Sequence, residues 1–225
     1  MQTDRSRCDW GNASPEYVAY HDEEWGTPLR GDDALFERLC LEAFQSGLSW
    51  ITILRKRPAF RAAFAGFAID AVAAFTEEDQ ARLMADAGIV RNRAKIAAAV
   101  RNARAAQDLP EGLSNLMWSF APTGPRTRPA TLSDVPATTP ESTAMAKELK
   151  RRGFVFVGPT TAYALMQATG MVDDHVADCF RAPRGRVTVG GLMLDDGVSY
   201  GIIDAERTAS TDAAFLLPSV EGVWP

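Results

Sequence analysis

Leu41-Glu42-Ala43-Phe44-Gln45-Ser46-Gly47-Leu48-Ser49-Trp50 is the stretch whose reading decides the fold. With the residues before it, Leu35, Leu39, Glu42 and Ser46 fall on one stripe of a helix that Asp32 or Asp33 is predicted to cap. Glu42 therefore points inward. A carboxylate among apolar neighbours loses its hydration unless donors reach it, and taking up a proton is the cheaper alternative. Gly47 suits the position just past the helix end. Ser49 suits the cap of a second helix, predicted from Trp50 to Arg57 and stopped by Pro58. Leu48 then sits at the tip of a tight turn, an apolar side chain exposed for no folding reason, and Trp50 opens the second helix within reach of Glu42. Together they suggest a pocket for a planar, electron-poor ligand. On spacing alone, a satisfied structural acid and a core tryptophan are the commoner explanation, and both readings stand at this point.

The wider chain bounds the answer. Its 225 residues, 46% of them hydrophobic, suffice for one good core or two small lobes. No run approaches the ~18 apolar residues of a membrane span, and Met1-Gln2-Thr3-Asp4-Arg5 lacks the apolar stretch of a signal peptide, so a cytoplasmic protein is expected. Three scattered cysteines argue against a disulfide framework and for thiols used in packing or as ligands; Cys40, between Leu39 and Leu41, reads as packing. A formal charge of -5 disfavours strong nonspecific binding to nucleic acid, which needs many phosphate contacts. Local basic clusters at Arg55-Lys56-Arg57, around Arg91, Arg93 and Lys95, and at Lys150-Arg151-Arg152 keep DNA possible if one of them forms a face; a solvated helix surface is the usual case.

Taken in order, the chain reads as mainly α. The N-terminal segment is rich in aromatic, Cys and His residues, with a short helix expected around Glu16 to Tyr20 that places Tyr17 and Tyr20 on one face. Alanine-rich helices are expected over Ala59 to Phe67 and Ile69 to Phe75, and Thr76 with Asp79 forms a capping start for a helix through Ala85. Gly88 then ends that helix, Ile89 and Val90 make a short apolar hairpin, and a long helix runs from about Asn92 to Gln107. This is a helix-hairpin-helix pattern over residues 83–96, or else an ordinary pair of antiparallel helices. Free N–H groups at the start of the second helix, with Gly88, Arg91, Arg93 and Lys95 nearby, would suit a DNA phosphate. Leu109 to Pro136 reads as irregular, Thr139 and Pro140 open a helix that Gly153 closes, and Thr160 or Thr161 starts one that ends at Gly170. Alternation near Arg186-Val187-Thr188-Val189 allows a hairpin or a disordered tail.

The chain has two histidines. His175 and Cys179 are four apart and on a helix would share one face, while His21 lies near Cys8 in the N-terminal segment. Two Cys and two His make a closed, tetrahedral structural zinc site. The spacing of Cys8 and His21 does not follow the usual finger signature, so a core thiol and ordinary polar histidines remain the alternative.

Six ordered blocks resemble the DNA-3-methyladenine glycosylase I family, within the helix-hairpin-helix glycosylases. They are Arg7-Cys8 with Trp10; Tyr17-Val18-Ala19-Tyr20-His21-Asp22 with Glu24-Trp25-Gly26; Leu41-Glu42 with Gly47-Leu48-Ser49-Trp50-Ile51-Thr52; Asp86-Ala87-Gly88-Ile89; Arg152-Gly153-Phe154 with Phe156-Val157-Gly158; and His175-Val176. The resemblance runs from Arg7 to Cys179. It implies a helical, two-lobed glycosylase domain over residues 1–180, with structural Zn2+ held by Cys8, His21, His175 and Cys179 joining the N- and C-terminal segments. It implies a base pocket of Glu42, Tyr20 and Trp50, and Gly47 and Leu48 filling the gap left in DNA by the flipped nucleotide. The implied activity is base-excision repair by a monomer: hydrolysis of the N-glycosidic bond of 3-methyladenine in alkylated double-stranded DNA, without lyase activity. The alternative is a noncatalytic, zinc-stabilised protein that binds alkylated DNA on the same scaffold. Residues 181–225 match nothing in the family and form an extension of unassigned role.

Overall fold

Helix α2 (Asp32–Gln45) is the element around which the others pack. The computed structural model describes residues 5–124, 126–181, 187–189 and 192–194. Leu35, Phe36, Leu39, Leu41 and Phe44 are buried around most of the circumference of α2, and not along one stripe, because α3, α4, α6, α7 and α9 all lie against it. Burying each such side chain contributes about 1.5–3 kcal/mol. The two aspartates expected to cap α2 serve other helices. Asp32 accepts from the Ser114 amide at 2.8 Å, at the start of α7 (Leu113–Trp118), and Asp33 accepts from the Ile69 amide at 2.9 Å, at the start of α4 (Ile69–Ala73). Gly31 takes the cap position of α2 instead. Each aspartate so satisfies an orphan N–H of a neighbouring helix and pins it to the central one.

Helix α1 is Pro15–Glu23, longer than predicted, and α3 is Trp50–Ala63. Pro58 lies inside α3 and does not stop it. The roughly 3 kcal/mol that an interior proline costs is offset by burial of Ile53, Leu54, Phe60 and Ala63 on one side of the helix. Helix α5 (Glu77–Ala85) starts with the expected Thr76–Asp79 capping box, and α6 (Arg93–Gln107) starts at Asn92, whose side chain accepts from the Lys95 amide at 3.1 Å. The connection between them is the predicted hairpin, with Ile89 buried. The stretch predicted as irregular contains α7. Its Leu113, Leu116 and Met117 are buried, and the Trp118 indole donates to the Leu29 carbonyl at 2.8 Å. Helix α8 (Pro140–Arg151) is capped by Thr139, and α9 (Pro159–Ala168) starts at Gly158, a residue or two earlier than predicted.

The fold is mainly α, as expected. The chain divides into two compact units, Met1–Pro183 and Arg184–Pro225. In the second, β1 (Val187–Val189) pairs antiparallel with β2 (Leu192–Leu194), Val187 opposite Leu194, which meets the hairpin expectation; the rest of the predicted extension lies outside the described residues. No described helix is long and apolar enough to cross a membrane.

Candidate active site

Glu42 lies in the last turn of α2 and is 6% exposed. Burial pushes its carboxyl up to about 7, against the opposing pull of the Arg38 guanidinium, and no hydrogen bond contributes to the shift. Arg38, one turn earlier and itself buried, donates to the Tyr20 hydroxyl at 3.0 Å and to Glu24 at 3.3 Å. Glu24 is in turn gripped by both guanidinium nitrogens of Arg57 at 2.5 and 2.7 Å. The guanidinium of Arg38 is thus committed to its partners, and Glu42 keeps its acceptor sites for a ligand.

Glu42 lines a cavity of about 230 Å3, with Gln45 beside it. Tyr17 and Tyr20 enter from α1, Trp50 from α3, and Ala164, Gln167 and Ala168 from α9; Trp10 and Trp25 complete the wall. The rings of Tyr20 and Trp50 are 5.4 Å apart, and Trp10 packs edge-on to both Tyr17 and Trp25. The space admits one flat heterocycle. Two polar details belong to residues that line this site. The Trp50 indole N–H is buried without a partner, leaving a donor whose unmet hydrogen bond is worth about 1–3 kcal/mol. The Gln167 amide donates to Asp174 at 2.9 Å, and Asp174 also accepts from the Tyr163 hydroxyl at 2.5 Å. The three predicted pocket residues therefore meet at one cavity.

Past the pocket, Gly47 follows the end of α2 with φ +82, and Leu48 projects from the turn 41% exposed, as expected. Ser49 stands at the start of α3, but its side chain bonds Thr52 and caps no amide; the Tyr17 hydroxyl accepts from the Ile51 amide at 3.1 Å instead. At the hairpin, Arg91 and Arg93 are exposed. Gly88 is a turn residue whose N–H is engaged by Asp86 at 2.7 Å. Lys95, expected beside a phosphate, is buried and turned inward toward the end of α2. Two of the other basic clusters are paired within the chain: Arg55 with Glu16, Arg57 with Glu24, and Arg151 and Arg152 with Glu148.

The donor atoms of Cys8, His21 and Cys179 lie within 4.8 Å of one another, all buried. His175 is outside that group, its ring centre 5.1 Å from that of His21. The His175–Cys179 segment is not helical, contrary to expectation; Cys179 reaches the cluster by a turn after Val176. The two histidines are held alike. Nδ1 of His21 faces Asp22 at 2.9 Å, with Arg7 bonded to both oxygens of that aspartate, and Nδ1 of His175 faces Asp173 at 3.0 Å, with Arg128 paired to it. Nε2 of His21 meets the Cys179 thiol at 3.4 Å, and Nε2 of His175 is buried without a partner.

Residues 10–182 match the family model described as methyladenine glycosylase. The chain belongs to that family. DNA-3-methyladenine glycosylase 1 of Escherichia coli K12 is 49% identical over 177 residues, covering 77% of this chain and 95% of the relative. A crystal structure of 3-methyladenine DNA glycosylase I superposes with a TM-score of 0.76 at 48% identity, covering 79% of this chain and 100% of that one. The Staphylococcus aureus enzyme, solved to explain its recognition of 3-methyladenine, gives 0.75 at 36% identity over 79% of this chain and 97% of that one. In this methyladenine glycosylase, sequence reasoning missed Arg38, Gln167, Trp10 and Trp25 as parts of the site. The aromatic density before Gly26 was the one available signal; α9 and Arg38 gave none.

Proposed function

We propose that the protein hydrolyses the N-glycosidic bond of 3-methyladenine in alkylated double-stranded DNA and leaves the strand uncut. The observation that carries this is the buried Glu42 carboxyl, without a hydrogen bond among the described residues, on the wall of a ring-lined cavity that admits a base. Methylation at N3 makes adenine cationic, so its bond to the sugar is already weakened. On cleavage the bonding electrons move into the ring and neutralise it, water oxygen bonds C1′, and a water proton passes to solvent. An ionised Glu42 draws the cationic base out of the stack, whereas neutral adenine gains only a hydrogen bond from the carboxylate and no attraction between opposite charges. The exocyclic amine of the base donates to Glu42, and Tyr20 and Trp50 stack on it. We assign this work to residues 1–180 as a two-lobed, cytoplasmic monomer, with Arg91, Arg93 and the Gly88 hairpin on phosphates. The direct test is release of free 3-methyladenine from methylated duplex by the purified chain, with no strand scission; DNA binding without release would leave a noncatalytic binder.

Gly47 and Leu48 are assigned to the gap left by the flipped nucleotide. Leu48→Ala is expected to lower single-turnover excision about 30-fold, since flipping costs a few kcal/mol that the inserted side chain offsets. Its melting temperature should stay within about 2 °C of wild type, because exposed positions contribute little to stability. An excision rate equal to wild type would remove Leu48 from the role.

We assign structural Zn2+ to Cys8, His21, Cys179 and His175. The fit rests on the donors: two thiols, and two histidines whose Nδ1 atoms each face an aspartate, so that Nε2 is turned to the Cys179 sulfur in His21 and is buried without a partner in His175. The metal would fasten the first residues to the end of the domain and take no part in the reaction. One zinc per chain is expected by elemental analysis. Cys8→Ser should lose it and about 3 kcal/mol of stability, lowering the melting temperature by roughly 6–12 °C. A metal-free protein with full stability would refute the assignment.

A further inference from the structure

Two lysines cross between the turns that the proposed function brings to DNA. The turn of residues 46–49 joins α2 to α3 and carries Leu48; that of residues 86–92 joins α5 to α6 and carries Arg91. Lys95, in the first turn of α6, sends its ammonium to the Leu48 turn, donating to the carbonyls of Phe44 at 2.8 Å and Ser46 at 2.6 Å. Lys56, in the second turn of α3, donates to the carbonyls of Ala87 and Gly88, both at 3.0 Å. Each lysine is rooted in the helix following one turn and bonded to the backbone of the other. Four hydrogen bonds, three to the turns and one to the last turn of α2, therefore close a ring through both turns.

The bonds suit the atoms they join. The last carbonyls of α2 have no partner within the helix and carry the negative end of its dipole, and an ammonium has donors but no acceptor. Lys95 is 8% exposed, and burial lowers its pKa from the ordinary lysine value, so the two carbonyls stabilise its charge where hydration is reduced. There is no slack at the hairpin either, since a Cβ on Gly88 would stand 3.0 Å from the Ala59 side chain of α3.

We propose that Lys95 and Lys56 are positioning residues that hold the Leu48 turn at a fixed offset from the phosphate-gripping hairpin, so that seating the hairpin on the backbone drives Leu48 into the base stack. This rests on the roles assigned above to Leu48 and the hairpin. Neither lysine touches the base. Their loss should leave affinity for free 3-methyladenine unchanged and separate DNA binding from base flipping.

The test compares Lys56→Met, Lys95→Met, the double variant, Lys56→Arg and Leu48→Ala in the full chain. Readouts are melting temperature, affinity for free 3-methyladenine, affinity for undamaged duplex, single-turnover excision, and the fluorescence of 2-aminopurine placed beside the lesion. Each methionine variant should excise about 10- to 30-fold more slowly, in the range that small misplacements cost, with a matching loss of the fluorescence change. Binding of free base and of undamaged duplex should stay within about threefold. The two losses should not multiply in the double variant, because breaking either side opens the same ring. Lys56→Arg keeps the donors and should recover most of the rate. Lys56 is half-buried, so its variants report even if Lys95→Met folds poorly. Wild-type excision and fluorescence in folded Lys56→Met, with Leu48→Ala impaired, would overturn the clamp alone; so would a rate loss matched by an equal loss of free-base binding. Unimpaired Leu48→Ala would overturn the parent reading of the turn, and the clamp with it.

Discussion

Glu42→Gln is expected to lower single-turnover excision of 3-methyladenine by about two to three orders of magnitude, a loss of roughly 3–4 kcal/mol of transition-state stabilisation. The amide preserves the volume and one acceptor but removes the charge that favours a cationic base. The same substitution should make the protein more stable at high pH. Unfolded Glu42 titrates near its ordinary value of 4.5, whereas in the fold burial raises it to about 7. Between those values the folded chain holds a proton that the unfolded chain has released, so stability falls as pH rises from 4.5 to 7 and stays lowered above. At pH 8 that loss is about 3 kcal/mol, and glutamine, which cannot ionise, escapes it. Denaturant unfolding should therefore show Glu42→Gln more stable than wild type at pH 8, with no such gain at pH 4.5. For the wild-type enzyme, kcat/KM should fall about tenfold per pH unit below 7, while kcat should hold to lower pH, because a bound cationic base keeps the carboxylate ionised. Excision that is unchanged in Glu42→Gln, or flat with pH, would detach the acid from the reaction.

That a pocket could be anticipated around Glu42 follows from the range over which its signals act. Helical period, a glycine past a helix end and an exposed leucine at the following turn are encoded within about ten residues, and these suffice to turn Glu42 inward, expose Leu48 and bring Trp50 to the same cavity as Glu42. Tyr20 and the cysteines and histidines came from a residue-poor inventory and from ordered resemblance across the chain. What lay beyond reach depends on contacts between distant segments. Asp32 and Asp33 look like caps for their own helix, but their oxygens are taken by amides of α7 and α4. Pro58 looks like a stop, but the packed side of α3 continues past it. His175 and Cys179 look like a helical pair, and the segment is irregular up to Val176 and then turns. Lys95 reads as a free cation in a basic run; its burial against the end of α2 is visible only once the two helical turns are side by side.

Gly170→Ala is expected to cost about 4 kcal/mol of stability. Two separate effects add. Gly170 has φ +69, a left-handed conformation that costs an alanine about 1–2 kcal/mol. A Cβ there would also stand 2.6 Å from the Pro28 nitrogen, 2.7 Å from the Thr27 carbonyl carbon and 2.8 Å from the Gly26 oxygen, all backbone atoms that no side-chain rotation can clear. Gly66 separates the two effects. Its φ is +66, yet nothing lies within 4 Å of its would-be Cβ, so Gly66→Ala carries only the conformational penalty. Melting temperatures should drop by roughly 8–16 °C for Gly170→Ala and by about a third as much for Gly66→Ala. Activity should diverge further, since the Gly170 contact joins α9, which carries Gln167 and Ala168, to the segment following α1, which carries Tyr17 and Tyr20. Forcing that junction apart opens the cavity, so the folded fraction of Gly170→Ala should bind free 3-methyladenine at least about tenfold more weakly, a loss of the size expected when pocket walls are displaced. Gly66→Ala should bind it normally. Equal melting temperatures for the two variants would show that the Gly26–Pro28 segment yields to a methyl group, and that the junction does not hold the pocket walls together.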